Sequence, residues 1–140
     1  MPATKKVLFL CTGNSCRSQL AEAIVNARLG DVWEAYSAGT KPAGYIHPMA
    51  LQALQEIGID HQGRSKHVDE FRTLAPDVVI TVCDSAAEEC PLWMGSGKRV
   101  HHSFPDPAKT NDLADFRAVR DAIALEIPKI LNTLTDKELV

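Results

Sequence analysis

The chain has 140 residues, the length of one ordinary domain, and 45% of them are hydrophobic and 24% charged, a balance that excludes an intrinsically disordered protein. Acidic residues outnumber basic ones by 18 to 15, and the formal net charge of −3 argues against a nucleic acid partner. The longest apolar runs, Val7–Cys11 and Val78–Cys83, are too short to span a membrane. No secretory segment is visible either, so a cytoplasmic protein with reduced cysteines is expected.

Short apolar strands alternate with helical patterns along the chain, which predicts a parallel sheet covered by helices. The predicted strands are Lys6–Cys11, Trp33–Ser37, Asp77–Cys83 and Arg99–Phe104. The predicted helical segments are Ser18–Leu29, Pro48–Ile57, a short piece around Val68–Leu74 and a long helix from Asn111 onwards, which Pro128 should bend or divide. The whole chain, residues 1–140, is therefore predicted to be a single doubly wound α/β domain with a central four-stranded parallel sheet.

The segment Cys11–Ser18 lies between the first predicted strand and the first predicted helix and reads Cys, five residues, Arg, Ser. In open α/β sheets, ligands bind at the carboxyl ends of strands, where helix N-terminal N–H groups favour an anion. A loop of this length can wrap its amides around a tetrahedral oxyanion, and Gly13 would permit the close approach and any positive φ. The residues predicted to bind the oxyanion are Thr12, Gly13, Asn14, Ser15, Cys16 and Arg17.

Cys11 would lie at the base of this loop, where the helix dipole and the guanidinium of Arg17 favour its thiolate form. Such a thiolate is ready to attack the central atom of the oxyanion, while Arg17 donates two N–H bonds to its oxygens. Ser18 could donate a hydrogen bond to the sulfur. The alternative is a buried cysteine at the end of a strand and a solvated arginine. The position of the segment between strand and helix favours the functional interpretation.

Together with Ser37-Ala38-Gly39-Thr40, the segment Cys11–Ser18 resembles the low-molecular-weight protein tyrosine phosphatase family, over essentially the whole chain. The resemblance implies that Cys11 is the nucleophile and that Arg17 binds the oxyanion. It also implies that Asp106, in the pair Asp106-Pro107, is the general acid that protonates a leaving oxygen. Taken alone, an Asp-Pro pair is an ordinary turn signal.

The sequence departs from the phosphatase pattern at two points. Ala108 and Lys109 follow the Asp-Pro pair, where phosphatases of this family commonly have tyrosines that shape the phenol site. The second departure is a pair of further thiols, Cys83 at the end of a predicted strand and Cys90 after six more residues. Cys11 and Cys83 both end strands, so both could face the same rim of the sheet. A phosphatase has no need for these thiols, whereas a redox enzyme does.

This arrangement resembles the thioredoxin-coupled arsenate reductases, which share the phosphatase fold. The resemblance implies that Cys11 attacks arsenate, with Asp106 assisting the departure of water. Cys83 then attacks Cys11 and expels arsenite, Cys90 attacks Cys83, and the Cys83–Cys90 disulfide is presented to thioredoxin. The expected partners are arsenate, its mimics phosphate and sulfate, and thioredoxin as electron donor, with no bound metal or organic cofactor and no membrane.

Glu22 and Ser37 lie where some reductases of this family complete a potassium site near Asn14. Those members also use a carboxylate from the loop after the second helix, whereas the corresponding stretch here, Arg64-Ser65-Lys66-His67, is cationic. We therefore predict no potassium requirement, and Lys66 or His67 could replace the charge of the ion.

Several alternatives remain open at this point. A low-molecular-weight phosphatase acting on phosphotyrosine or small phosphate esters would need Cys11, Arg17 and Asp106 but neither Cys83 nor Cys90. A second alternative is a protein that binds arsenite or zinc through its thiols without turnover, although the cysteine spacings lack the C-x2-C pairing usual in zinc sites. Cys83 and Cys90 could also be buried structural thiols, and mycothiol or glutaredoxin could replace thioredoxin as reductant. Cys16 is expected to be a bystander in redox chemistry.

Overall fold

Four parallel strands form the central sheet of the computed structural model, which describes residues 4–83 and 97–137, the last three of these by backbone only. The strands are β1 (Lys5–Cys11), β2 (Trp33–Gly39), β3 (Val78–Thr81) and β4 (Lys98–His101), in the order β2-β1-β3-β4. The α-helices in the described residues are α1 (Arg17–Arg28), α2 (Pro48–Gln55) and α3 (Leu113–Lys137). Short 3-10 helices span Val68–Phe71 and Pro107–Lys109. The predicted α/β fold with a four-stranded parallel sheet is confirmed.

The central strand β1 is buried on both faces, as its uninterrupted apolar sequence predicts. Val7 and Phe9 join the large core, to which α1, α2 and α3 all contribute apolar side chains. Leu8 and Leu10 point to the opposite face, where Val68 and Phe71 of the first 3-10 helix pack on them. The sheet is thus held between two apolar layers, and its carboxyl edge is left for the loops that follow the strands.

Two predicted boundaries at β3 and β4 are wrong in detail. The strand predicted over Asp77–Cys83 pairs regularly only over Val78–Thr81. Before it, the carboxylate of Asp77 accepts the N–H of Lys6 at 2.7 Å, and the N–H of Asp77 donates to Lys6 O at 2.8 Å. The strand predicted over Arg99–Phe104 is Lys98–His101. Isolated backbone bonds nevertheless continue beyond both strands. The N–H of Val82 donates to Leu10 O at 2.9 Å, and the N–H of His102 donates to Thr81 O at 2.9 Å.

Pro128 does not divide the last helix, so that part of the prediction is wrong. Loss of a backbone hydrogen bond and the ring clash cost about 3 kcal/mol in a helix interior. The four side chains that flank this position are buried in the core, and each contributes roughly 1.5–3 kcal/mol of burial. These are Ile123, Ile127, Leu131 and Leu134. Packing on both sides of the proline therefore outweighs its local cost.

The carboxyl end of β2 brings a distant loop against the loop that follows β1. Gly39 forms a parallel bridge with His67, and its N–H donates to Lys66 O at 3.0 Å. A Cβ on Gly39 would clash with the carbonyl oxygens of Thr12 and Cys11. Glycine at this position is therefore what lets the end of β2 lie against the backbone of Cys11 and Thr12. No helix in the described parts of the chain is long and apolar enough to cross a membrane.

Candidate active site

A cavity of about 340 Å³ lies at the carboxyl end of β1, over the start of α1. The structure brings eight of the predicted site residues together around it: Cys11, Thr12, Gly13, Asn14, Ser15, Cys16, Arg17 and Asp106. Ala108, which stands where phosphatases of the family commonly have a tyrosine, also lines it. The sequence did not point to the remaining lining residues, which are Ala43, Tyr45 and His47. The loop predicted to bind an oxyanion and the proposed acid thus share one cavity.

The sulfur of Cys11 is held by two hydrogen-bonding groups of the same loop. Ser18 Oγ lies 2.8 Å from Cys11 Sγ, and the N–H of Asn14 donates to this sulfur at 3.3 Å. Asn14 Nδ2 donates to Ser18 Oγ at 2.9 Å, so the hydroxyl hydrogen of Ser18 is free to point to the sulfur. Both donors stabilise a negative charge on Cys11, which is only 2% exposed.

Asn14 is fully buried, and its side-chain orientation is fixed from behind the loop. Asn14 Oδ1 accepts the backbone N–H of Lys66 at 2.9 Å and Gln19 Nε2 at 3.0 Å. Because the oxygen of the amide is used in this way, its nitrogen must face Ser18. Asn14 is also the residue of this loop with left-handed backbone, at φ 49°, so the expectation that any positive φ of the loop would fall on Gly13 is wrong. Asparagine tolerates this conformation better than most residues.

Arg17 is the first residue of α1 and is 4% exposed, not a solvated helix residue. Its Nη1 donates to Phe104 O at 3.2 Å, which anchors the guanidinium between β1 and the segment that follows β4. The first turn of α1 has no acidic residue, and its N-cap has no side-chain hydrogen bond. The positive end of the helix dipole is therefore available to an anion in the cavity.

Asp106 and Cys16 face the same cavity with different properties. The Asp106 carboxylate accepts the N–H of Ala108 at 3.0 Å, which fixes it at the start of the second 3-10 helix. Burial, and then the negative charge of Asp106, raise the pKa of Cys16 to about 12. Cys16 is a free thiol and is protonated at neutral pH, a state that makes it a poor nucleophile.

Cys83 lies two residues beyond β3, the strand that pairs with β1. Leu10 faces Thr81 in this pairing, so Cys11, the last residue of β1, and Cys83, two residues beyond β3, lie at the ends of neighbouring strands. Cys83 is fully buried and belongs to the same apolar cluster as Cys11, although it is not among the described residues that line the cavity. Cys83 is disulfide-bonded, whereas Cys11 and Cys16 are free. Cys90 lies outside the described residues.

A second group of polar side chains lies behind the loop and is called the Lys66 cluster: Glu22, Ser37, His61 and Lys66. The Lys66 ammonium lies 3.4 Å from Ser37 Oγ and 3.7 Å from Glu22 Oε1, and Ser37 Oγ donates to Glu22 at 2.9 Å. His61 Nε2 lies 3.5 Å from Glu22 Oε2. Burial lowers the pKa of both His61 and Lys66. Within residues 4–83 and 97–137, no three His, Cys, Asp or Glu side chains are grouped to hold a metal ion.

The family model "Low molecular weight phosphotyrosine protein phosphatase" matches residues 6–139. The chain belongs to this family. It is 43% identical over 135 residues to an arsenate reductase of Halalkalibacterium halodurans, a match that covers 92% of this chain and 96% of that protein.

Solved structures of arsenate reductases superpose closely on this chain. An arsenate reductase in the phosphate binding state has a TM-score of 0.81 at 29% identity and covers 93% of this chain and 98% of its own. A thioredoxin-dependent arsenate reductase of Corynebacterium glutamicum has a TM-score of 0.75 at 26% identity, covering 96% of this chain and 64% of its own. The predicted resemblance to arsenate reductases with the phosphatase fold is thereby confirmed.

Some polar residues that support the family's loop in this chain were not predicted. Gln19 is fully buried and donates to Asn14 O at 3.1 Å and to Arg64 O at 2.8 Å. Its Oε1 contacts His61 Nε2 at 2.7 Å. In the sequence, Gln19 is only a polar residue beside the apolar positions of the first helix. Such residues are too common for this pattern to indicate a role. Tyr45, which is 58% exposed on the cavity, gave no signal at all.

Proposed function

We propose that this protein is an arsenate reductase that holds arsenate in the loop of residues 12–17 and attacks it with Cys11. The observation that carries the proposal is the environment of Cys11 Sγ, which receives hydrogen bonds from Ser18 and Asn14 beside a cavity shared with Arg17 and Asp106. The relatives named arsenate reductase support arsenate as the substrate. The phosphate binding state of one of them supports a site for a tetrahedral oxyanion.

In the first step the Cys11 thiolate attacks the arsenic atom, and an As–S bond forms. One hydroxyl group of the protonated arsenate leaves as water after receiving a proton from Asp106. The loop N–H groups and the guanidinium of Arg17 stabilise the negative oxygens during this exchange. The arsenic is still As(V) after this step, since one oxygen ligand has been replaced by sulfur.

In the second step the Cys83 thiolate attacks Cys11 Sγ. A Cys11–Cys83 disulfide forms, the S–As bond breaks, and its electron pair stays on arsenic, which leaves as As(III) in arsenite. The ends of the neighbouring strands β1 and β3, and the shared apolar cluster of the two cysteines, support this transfer. Cys90 then attacks Cys83, frees Cys11 and leaves a Cys83–Cys90 disulfide.

Reduced thioredoxin is the proposed electron donor, and it supplies two electrons and two protons to regenerate the dithiol. The thioredoxin-dependent structural relative supports this choice. The cycle requires a compartment in which thiols are kept reduced, and we therefore propose a cytoplasmic location, with no resident metal or organic cofactor.

A second candidate function is hydrolysis of phosphate monoesters by Cys11, Arg17 and Asp106. The observation that favours it is the volume of the cavity, about 340 Å³, which is in the range of sites for small organic ligands. Tyr45 on this cavity offers an aromatic surface to the alcohol portion of an ester. This activity uses neither Cys83 nor Cys90.

The deciding experiment measures arsenite release with NADPH, thioredoxin and thioredoxin reductase for the wild type, Cys83→Ser and Cys90→Ser. The wild type should turn over continuously. Cys90→Ser should release about one arsenite per chain and stop, because its Cys11–Cys83 disulfide cannot be passed on. Cys83→Ser should release none, since the As–S bond is not broken by a second thiol.

Absence of wild-type turnover, with a reductant system that works on a known substrate, would overturn thioredoxin coupling. Mycothiol and glutaredoxin are then supplied in its place. If p-nitrophenyl phosphate is hydrolysed at equal rates by the wild type, Cys83→Ser and Cys90→Ser while arsenate is not reduced with any donor, the protein is a phosphatase. Cys11→Ser is the inactive control in both assays.

A further inference from the structure

His47, the residue before α2, is held by its backbone against the oxyanion loop of residues 12–17. Its N–H donates to Ser15 O at 3.1 Å, so its position is tied to the loop that surrounds the cavity. Its ring lines this cavity together with Arg17 and Asp106. A side chain fixed at this place is a neighbour of any oxyanion that the loop binds.

Two contacts fix the ring of His47. Nδ1 accepts the N–H of Met49 at 3.1 Å and thereby caps the N-terminus of α2. The ring also packs on the buried ring of Phe116, with 4.6 Å between the two centroids. Because Nδ1 is the acceptor of the cap, the ring hydrogen is carried by Nε2. The ring of His47 therefore has one fixed donor, Nε2–H.

Nε2 of His47 takes part in no hydrogen bond or ion pair within the described part of the chain. Five residues that follow the oxyanion loop in the sequence line the same cavity: Ala43, Tyr45, His47, Asp106 and Ala108. The two alanines have no polar side-chain atom, Tyr45 is 58% exposed, and Asp106 is the proposed acid. Among these five side chains, His47 is therefore the donor that is held in place.

One oxygen of an oxyanion in the loop is turned away from the Cys11 sulfur, because the nucleophile and the leaving group lie in line. The loop N–H groups and Arg17 bind the three other oxygens. The outward oxygen belongs to the hydroxyl group that Asp106 protonates in the proposed first step. A hydroxyl oxygen has two lone pairs, so it can accept a hydrogen bond on one while it receives a proton on the other.

We propose that His47 is a substrate-binding residue whose Nε2–H donates a hydrogen bond to the outward hydroxyl oxygen of arsenate and holds it in place for the proton from Asp106. His47 transfers no proton, and its hydrogen stays on Nε2 throughout the step. The inference rests on the proposed function in taking an oxyanion as the ligand of this cavity and Asp106 as the acid.

The test uses two substitutions that separate the two nitrogens of the ring. His47→Asn keeps an acceptor at the place of Nδ1 but has no group at the place of Nε2. His47→Gln keeps a donor at the place of Nε2 but is not among the preferred N-cap residues. Both variants lose the contact with Phe116, so the comparison between them isolates the nitrogens.

Oxyanion binding is measured as the rise in melting temperature with inorganic phosphate, and catalysis as kcat/KM for arsenate. His47→Asn should bind phosphate roughly 10-fold more weakly and lose a similar factor in kcat/KM, because a hydrogen bond to a charged ligand is lost. Its melting temperature without phosphate should stay near that of the wild type. His47→Gln should show the reverse, with a lower melting temperature and a phosphate affinity near that of the wild type.

His67→Asn is the matched control, because His67 makes the same capping contact at another place. Its Nδ1 accepts the N–H of Asp69 at 3.0 Å at the start of the first 3-10 helix. His67 is not among the described residues that line the cavity. The variant should therefore keep the phosphate affinity and the kcat/KM of the wild type.

Wild-type phosphate affinity in His47→Asn would overturn the inference. The same conclusion follows if His47→Gln loses as much affinity as His47→Asn, or if the melting temperature of the wild type does not respond to phosphate. Failure of the proposed function is distinguishable, since the wild type would then reduce no arsenate, while the phosphate affinities of the two variants still decide the role of His47.

Discussion

Two clusters of ion pairs in this molecule differ in burial more than in chemistry. The Lys66 cluster lies behind the loop that carries Cys11, whereas Glu56, just after α2, pairs with Arg117 and Arg120 of α3 in a cluster at the surface, in which only Arg120 is buried. The pairs of Glu56 are the shorter ones, at 2.6 and 2.9 Å, against 3.5 and 3.7 Å between Glu22 and its two partners. Yet the carboxylate of Glu56 is 31% exposed, and that of Glu22 only 11%. Water can therefore replace a lost partner of Glu56 but not a lost partner of Glu22.

The distance between two charged atoms is therefore a poor guide to how much the loss of one of them would destabilise the protein. A surface pair gains little, because water screens it and both side chains lose conformational freedom. Removal of one member of a buried pair leaves the other member uncompensated. The position of the Lys66 cluster adds a second consequence, because Lys66 also contacts Asn14 and thereby the sulfur of Cys11.

The largest effect is expected from a comparison of Glu22→Gln with Glu56→Gln, which make the same change in the two clusters. Glu22→Gln leaves the ammonium of Lys66 buried without its carboxylate and should lower the free energy of unfolding by about 3–5 kcal/mol. Glu56→Gln changes an exposed group and should have a far smaller effect. Urea denaturation of both variants measures the difference, and equal losses would show that burial does not separate the two clusters.

The second prediction uses the lowered pKa of His61. Burial lowers this pKa below its ordinary value of 6.5, and the carboxylate of Glu22 opposes the shift only in part. The unfolded chain therefore takes up a proton near pH 6.5, while folded His61 does so only at lower pH. Stability contributed by neutral His61 is present above pH 6.5 and is lost as the pH falls below it.

Melting temperatures at pH 7.5 and 5.5 check this prediction. The melting temperature of the wild type should fall more between pH 7.5 and pH 5.5 than that of His61→Gln, because the variant has no imidazole at this position to protonate. His67→Gln, in an exposed loop where the side chain of His67 is 43% exposed, is the control and should behave like the wild type. An equal loss in wild type and His61→Gln would contradict the assignment.

The smallest effect is expected for Arg117→Ala in the surface cluster. Its pairing with Glu56 is bidentate and lowers the pKa of that carboxyl group, but both side chains are solvated. The melting temperature should fall slightly at low ionic strength. The difference from the wild type should vanish in about 1 M NaCl, where the Debye length is about 3 Å. A difference that persists in high salt would indicate a packing contribution instead.

The oxyanion loop and its strand were predictable because their information is local. A buried strand, eight consecutive residues and a helix define the position of Cys11 and Arg17 without any distant contact. The Lys66 cluster could be expected only from the resemblance to the family, which placed Glu22 and Ser37 near Asn14 and let Lys66 or His67 replace the charge of an ion. Local patterns do not show it, because Glu22, Ser37 and Lys66 come from a helix, a strand and a loop. The contact of His61 with Glu22 was not predicted.

The left-handed residue of the loop illustrates the same limit. Glycine is the usual choice for a positive φ, and Gly13 was therefore the natural candidate. The residue that adopts it is Asn14, because its side chain is held by Lys66 and Gln19, which lie outside the loop. Long-range hydrogen bonds thus decided a local conformation. Pro128 is the counterpart in the core, where tertiary packing outweighed a local helix-breaking signal.

The point at which β3 stops pairing with β1 has a consequence for the proposed relay between Cys11 and Cys83. Leu10 faces Thr81, so Cys11 is level with Val82, and Cys83 comes one residue later. Side chains alternate between the two faces of a regular strand, so a β3 that continued regularly to residue 83 would turn Cys83 to the face of Thr81, away from that of Cys11. Regular pairing ends at Thr81 instead, and Cys83 joins the apolar cluster that contains Cys11. An early end to one strand thus gathers two thiols on one side of the sheet.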